Sequence, residues 1–340
     1  MNRKANISSR LLKIILALSV LGLLAAGGCR FYKKPVLEDN EDPIRGRRVL
    51  MDTVVEIRID GGGDPGLLDR SFQEMERLEG ILSRFVPGSD LAQVNAQAGS
   101  WVQVDQALAD LLALALEAAE ISGGAFDPTI GAVIELWGFG SKEPKVPPAS
   151  ELALALKTVD YRQVGLDRAE NRVRIPVGTV LDLGGIAKGY IVDQTAKMLR
   201  ANGVKHAIIN AGGDLAVIGA RPDGNPWRVG VQDPDQPSEI RWVLPLQEQS
   251  VVTSGDYQRF FVEDGKSWHH LLDPKTGYPA SGLRSVSVIS SNTAYGDALA
   301  TAIFILGMEK GRQLVQNLPG VEAILMAGEE VWISSGLDLQ

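Results

Sequence analysis

The chain has 340 residues, enough for one large domain or two smaller ones, and its 45% hydrophobic and 22% charged content supplies ample material for a core. A formal net charge of −8 argues against a nucleic-acid surface, and a single cysteine excludes an internal disulfide. No internal repeat, low-complexity tract or long charge run is visible.

The N-terminus differs in composition from the rest. Arg3, Lys4, Arg10 and Lys13 lead into an apolar stretch from Ile14 to Ala26 with no acid among them. This is a charged n-region followed by an apolar h-region too short to span a bilayer comfortably. It ends in LAAGGC, small residues running directly into Cys29. That ending resembles the lipobox of bacterial lipoproteins, whose cysteine is acylated and becomes the new N-terminus. Ala26 stands where that pattern prefers Leu, and the alternative is an ordinary signal peptide that ends near a cysteine. Residues 1–28 are therefore expected to be a signal peptide, 29–48 a tether and 49–340 the folded body. Loss of residues 1–28 removes four cations and no acids, leaving −12. Acyl chains, and not a basic patch, would then hold the protein to a membrane, on the periplasmic or another extracytoplasmic side.

In the body, Thr53–Asp60 alternates apolar and polar residues like a half-buried strand, and GGGDPG ends it. Leu67–Phe85 carries Leu68, Phe72, Met75, Leu78, Ile81 and Leu82 at helical spacing. A second helix is expected from Gln106 to Ile121, stopping at Gly123-Gly124. The Pro-rich stretch 138–150 reads as an exposed loop. Val173–Ile175 and Val180–Leu183 read as a hairpin pair, and Ile186–Asn202 as a helix that ends at Gly203. Further strands are expected at Ala207–Asn210, Leu215–Ile218, Arg228–Val231, Ile240–Leu246, Arg259–Val262 and Val286–Ser290. A helix from Ala294 to Leu306 and a closing pair of strands finish the chain. Helices and strands mix without βαβ alternation, which predicts an α+β fold: a mixed, largely antiparallel sheet with packed helices.

Four glycine-dense segments could carry chemistry. In Gly123-Gly124-Ala125-Phe126-Asp127-Pro128 the plain reading is a helix N-cap followed by an N1 proline. Asp182-Leu183-Gly184-Gly185-Ile186-Ala187-Lys188-Gly189 joins a predicted strand to a predicted helix, the setting in which free N–H groups and the helix dipole hold phosphate. GxGxxG is absent, and Tyr190 stands where a P-loop needs Lys-Ser/Thr, but Lys188 could pair with phosphate as a point charge. The third segment, around His269-His270 and Asp273-Pro274, holds two of the three histidines. Neighbours on a strand face opposite ways, so one histidine at most enters a given site, where it could serve as a base. Zinc is disfavoured for want of ligands. Asp297 and Thr301 are i and i+4 on the last helix, so both oxygens leave one face, and both are hard ligands suited to Mg²⁺. An Asp serving only the helix dipole is the alternative.

The ordered motifs MDTVVEI, GGAFDPT, LDLGGIAKG, NAGGD, TSGDY, HHLLDPKTGYP and DALATAIFILG resemble the ApbE-type FAD:protein FMN transferases, formerly called thiamine-biosynthesis lipoproteins, over about residues 49–335. The resemblance implies an enzyme that binds FAD and Mg²⁺ and attaches FMN by a phosphoester to a Thr or Ser of a partner, releasing AMP. It implies FAD contacts from Met51, Phe85, Ala125, Phe126, Asp127, Asp182, Lys188 and Leu272. It implies metal ligation by Asp297, Thr301 and the Gly185 carbonyl, with His270, not His269, catalytic. The partner it implies is an exported or membrane redox subunit. Two departures stand out. Asp52 replaces the usual glycine of Met-Gly-Thr, and Phe85 stands where an aromatic hydroxyl is common; either could weaken FAD affinity. Two other functions remain open: an FAD pyrophosphatase that uses water as nucleophile, and a non-catalytic FAD-binding lipoprotein.

Overall fold

A computed structural model describes residues 42–139, 143–236 and 238–339. The expected signal peptide, the lipidated Cys29 and tether residues 29–41 lie outside the described residues.

The strands in chain order are β1 (Ile44–Leu50), β2 (Thr53–Asp60), β3 (Val102–Gln103), β4 (Gly165–Asp167), β5 (Arg172–Arg174), β6 (His206–Ala211) and β7 (Asp214–Ile218). They continue with β8 (Trp227–Gln232), β9 (Ile240–Leu246), β10 (Ser250–Gly255), β11 (Phe260–Glu263), β12 (Lys266–His269), β13 (Ser285–Ser290), β14 (Glu322–Ala327) and β15 (Glu330–Ile333). The helices are α1 (Gly66–Leu82), α2 (Asp90–Ala96), α3 (Gln106–Ile121), α4 (Gly131–Trp137), α5 (Ala149–Ala155), α6 (Ala187–Ala201) and α7 (Thr293–Gln316).

Eight strands form the main sheet in the order β1-β2-β6-β7-β10-β13-β14-β15. All its pairings are antiparallel, and the one parallel contact among the described residues is an isolated bridge, Ile130–Val180. The fold is α+β, as the mixed pattern predicts. One face of the sheet, with Val55, Ile57, Ala207 and Ile209, packs on Phe72 and Met75 of α1 and Ile191 and Leu199 of α6. Val286 and Val288 pack on Leu299, Ile303 and Phe304 of α7. The β8–β9 hairpin covers part of the opposite face, setting Trp227, Val229 and Leu244 against Leu215, Val251 and Ile289.

Where one face is buried and the other wet, the sequence pattern finds the element. β2 and α3 have the limits expected of them, and Asp105 caps α3 by accepting from the Ala107 N–H at 2.8 Å. α1 ends three residues before the expected Phe85, at the Ser83 C-cap. α7 begins at an Asn292 cap and is broken at Gly307 (φ 76°, ψ −179°), directly after the expected end.

Four expectations need correction. The tether does not reach residue 48, because β1 begins at Ile44 and pairs along β2. Its inward positions include Gly46 and Arg48, so no apolar alternation marks it; the Arg48 guanidinium lies 4.7 Å over the Phe72 ring. Val173–Ile175 and Val180–Leu183 do not form a hairpin; β5 pairs instead with β3 and β4. Asp127-Pro128 does not start a helix, since α4 begins at Gly131. The 138–150 stretch is only partly an exposed loop: Phe139 and Val146 pack into an aromatic cluster and α5 starts at Ala149.

That cluster fixes the β11–β12 hairpin, which belongs to no other sheet. Phe261 and Trp268 pack around Trp137 at ring-centre distances of 6.3 and 5.3 Å, with Tyr278 at 5.8 Å. The Trp137 indole N–H donates to the Gly277 carbonyl at 2.7 Å.

Candidate active site

A cavity of about 620 Å³ is lined by Met51, Phe85, Ala125, Phe126, Asp127, Asp182, Gly185, Lys188, His270, Leu272, Asp297 and Thr301. Every described residue singled out from the sequence as a site candidate therefore borders one space. They come from the β1–β2 turn, the turn after α1, the loop before α4, the loop leading into α6 and its first turn, the segment after β12 and the early turns of α7.

At its polar end, the Lys188 ammonium lies 2.5 Å from Asp214 Oδ2 and 4.0 Å from Asp297 Oδ2. Burial acts to lower the Lys188 pKa, but the two carboxylates outweigh it and hold the ammonium above its ordinary value. One cation thus faces two carboxyl groups in a buried corner. Burial first, and the Asp214 carboxylate second, push the Asp297 carboxyl up to about 8. Gly185 borders the same corner: a Cβ there would meet Thr301 Oγ1 at 3.2 Å and Phe126 at 3.3 Å, so glycine keeps the loop close to α7.

α6 and α7 brace each other at this corner. Asp297 accepts from the Gly189 N–H of α6 at 3.3 Å, while Asp193 of α6 accepts from Thr293 and Ala294 of α7 at 3.0 and 2.9 Å. Each helix thus sets a carboxylate on the positive end of the other.

His270 is half-buried at the base of the β11–β12 hairpin. Its Nδ1 lies 3.2 Å from the Arg259 carbonyl oxygen, which can only accept. The ring is therefore the Nδ1–H tautomer, with the lone pair on Nε2. Burial above all, with the Arg259 charge adding to it, pushes the imidazole down to about 4, so it is neutral near pH 7. His269 turns the other way, its Nε2 3.0 Å from the Ala280 carbonyl and its ring 5.5 Å from Phe304. One histidine enters the cavity, as the strand geometry predicts.

Other side chains shape the walls. Asp127 is buried and fully engaged: it accepts from the Thr129 N–H and hydroxyl at 2.8 and 2.6 Å and from the Tyr161 N–H at 3.2 Å. It braces the loop from within the cavity wall. Asp182 accepts from the Gly184 N–H at 2.8 Å and pairs with Arg84. Lys188 lies between carboxylates, so any phosphate would share it with them.

Sequence reasoning left out Asp214, Glu79, Arg84 and Arg259. Asp214 ends the NAGGD motif after Gly212 and Gly213, both at positive φ (62° and 105°), and that turn was its available signal. Glu79 accepts from the Met51 N–H at 3.2 Å, a contact to backbone that no spacing reveals.

A profile of the ApbE family matches residues 51–325. The chain belongs to the ApbE family. Among its relatives, the FAD:protein FMN transferase of Treponema pallidum is 39% identical over 289 residues, 79% of this chain and 80% of that protein. A Klebsiella pneumoniae FAD:protein FMN transferase is 36% identical over 77% of this chain and 83% of its own length. The crystal structure of the Thermotoga maritima ApbE protein superposes with a TM-score of 0.81 at 34% identity, covering 86% of this chain and 97% of that one. The apo Pseudomonas stutzeri flavinyl transferase ApbE gives 0.77 at 29% identity over 86% and 95%.

Within this ApbE-family chain, Met51 and Asp52 both adopt positive φ (53° and 57°) as the two-residue turn between β1 and β2. The glycine expected at the second position would adopt that conformation without strain, and Asp is among the residues that best tolerate it. Phe85 is 70% exposed at the cavity edge.

Proposed function

We propose that this ApbE-family protein is an FAD:protein FMN transferase that moves FMN from FAD to a Thr or Ser hydroxyl of an exported or membrane redox protein, releasing AMP. The observation that carries the reading is the convergence of His270, Lys188, Asp214, Asp297 and Thr301, from four separate segments, on one cavity large enough for much of a dinucleotide. The relatives' activity supports it.

In this reading the acceptor hydroxyl oxygen bonds to the FMN-side phosphorus. The bond from that phosphorus to the bridging oxygen breaks, and AMP leaves with the bridging oxygen. The hydroxyl proton passes to His270 Nε2, whose lone pair the Arg259 carbonyl leaves free. A positioned base of this kind is worth roughly 10²–10⁴-fold. Lys188 and the start of α6, which has no side-chain cap, bring positive potential to the diphosphate.

Among the described residues no three His, Cys, Asp or Glu side chains gather as a metal cluster. The donor set nevertheless fits Mg²⁺, which takes one or two carboxylates and fills its other positions with water and substrate phosphate. The Asp297 carboxyl, which burial and then Asp214 push up to about 8, is a group that a bound cation would hold ionised. Asp297, the Thr301 hydroxyl and the Gly185 carbonyl would hold the ion. When bound, it neutralises charge on the non-bridging phosphate oxygens. Cys29, acylated, would tether the enzyme outside the cytoplasm, where such acceptors reside.

Mass spectrometry of candidate acceptors after incubation with the protein, FAD and Mg²⁺ tests the reading. A mass increase of one FMN is expected, abolished by excess chelator and by His270→Ala, with FAD binding by that variant retained. Transfer by His270→Ala at the wild-type rate would remove His270 as the base. Fast FAD cleavage that no acceptor redirects would favour a pyrophosphatase, and FAD held without AMP release a carrier.

A further inference from the structure

The turn after α1 contains a group that the transfer step does not use. The Arg84 side chain, only 8% exposed, sits between two carboxylates from distant parts of the chain. Its Nε is 2.6 Å from Asp182 Oδ2 in the glycine loop, and its Nη1 is 2.7 Å from Glu135 Oε1 of α4. The guanidinium carbon also stands 4.5 Å from the centre of the Phe85 ring. One planar cation therefore ties together three walls of the cavity.

Phe85 is an unusual residue to leave in the open. At 70% exposure it has no core to fix its rotamer, and Arg84 supplies the only cation–π contact recorded for it among the described residues. The ring packs on the guanidinium at 4.5 Å and is otherwise largely exposed at the cavity edge. Aromatic rings stack face to face with an offset, and a guanidinium beneath one ring adds a cation–π contact that an ammonium cannot match in plane. Asp182 is fixed by the same residue, and its other oxygen shapes the loop through Gly184.

We propose that Arg84 is a positioning residue that holds Phe85 as a shelf for one planar ring of a dinucleotide, either the isoalloxazine or the adenine. The proposal rests on FAD being the substrate and names the element that sets affinity at the ring end, away from the reacting phosphorus. Arg84→Lys keeps a positive charge beside Asp182 but removes the plane, whereas Arg84→Met removes both.

The test is equilibrium binding of FAD, FMN and ADP to the full chain, followed by flavin fluorescence and by the flavin absorption band, with Tm measured in parallel. For Arg84→Lys, FAD affinity is expected to fall at least 5-fold with Tm little changed. The loss should appear with FMN or with ADP but not equally with both, because a shelf meets one ring. Transfer at saturating FAD should stay within about 2-fold of wild type, giving a KM effect with kcat preserved. Arg84→Met should bind more weakly still and melt earlier, since it strands the Asp182 carboxylate. If Arg84→Lys binds all three ligands as wild type does, or loses FMN and ADP equally, Arg84 is only a structural ion pair and the proposal falls. Wild-type protein that binds FAD but modifies no acceptor would sink the transferase reading while leaving this one standing. Wild-type protein that binds no FAD would end both.

Discussion

His270 shows how one backbone contact sets a side chain's chemistry. The Arg259 carbonyl fixes the Nδ1–H tautomer, and burial keeps the ring neutral with a pKa of about 4. The acid limb of kcat/KM for the free enzyme that belongs to this group is therefore expected near pH 4, well below the ~6.5 of an ordinary histidine. A pH–rate profile with an acid limb at 6.5 that His270 carries would contradict it. The stability effect has a definite sign. Because the folded pKa is depressed, the unfolded chain binds the proton first, so stability is present in full above about 6.5 and is lost as pH falls towards 4. His269, also lowered by burial, acts in the same direction. His270→Gln should therefore lose less stability than wild type between pH 7 and pH 5, measured by urea midpoint. Residues of this kind, with chemistry in the side chain and a motif around them, were legible in the sequence. Arg84, Glu79 and Asp193 were not, because they act on other residues across 28 to 100 positions of chain, and no local spacing encodes that.

Among the elements, α6 and α7 are the pair on which the polar corner depends. Gly189 lets them approach: a Cβ there would stand 2.5 Å from the Thr293 carbonyl oxygen. Asp193 then caps α7, and α7 presents Asp297 and Thr301 one turn apart. Asp193→Ala removes a buried acceptor from two N–H groups, at a cost of about 2 kcal/mol or more. It should lower Tm and raise the Mg²⁺ concentration needed for half-maximal transfer, while FAD binding measured without metal stays close to wild type. An unchanged Mg²⁺ requirement would show that the α7 start holds its position without the cap. Several elements found from sequence, such as β2 and β8, have one wet face, although β7 and β13 were found while buried throughout. β10, all but one of whose residues are buried, carries no alternation and was missed. β1 was missed for the opposite reason, since Gly46 and Arg48 occupy inward positions.

For the whole molecule, the antiparallel sheet is what gathers segments hundreds of residues apart onto one cavity. The order of motifs along the chain was legible; their convergence was not, because it depends on strand order, and β2 neighbours β6 and β10 neighbours β13 with long excursions between. Clusters of buried side chains between the main sheet and its helices hold the elements that carry Lys188, Asp214 and Asp297. The histidine instead hangs from the β11–β12 hairpin, outside that sheet and secured by a few aromatic rings. Two-stranded ribbons are marginal by themselves, and parts of a protein with few buried contacts open before the rest. Gentle heating should therefore silence the enzyme while far-ultraviolet circular dichroism is still native and flavin is still bound, with activity returning on cooling; coincident curves would mean that ribbon and body melt as one. The protein would carry its own thermal fuse, placed at the proposed base and not at the substrate.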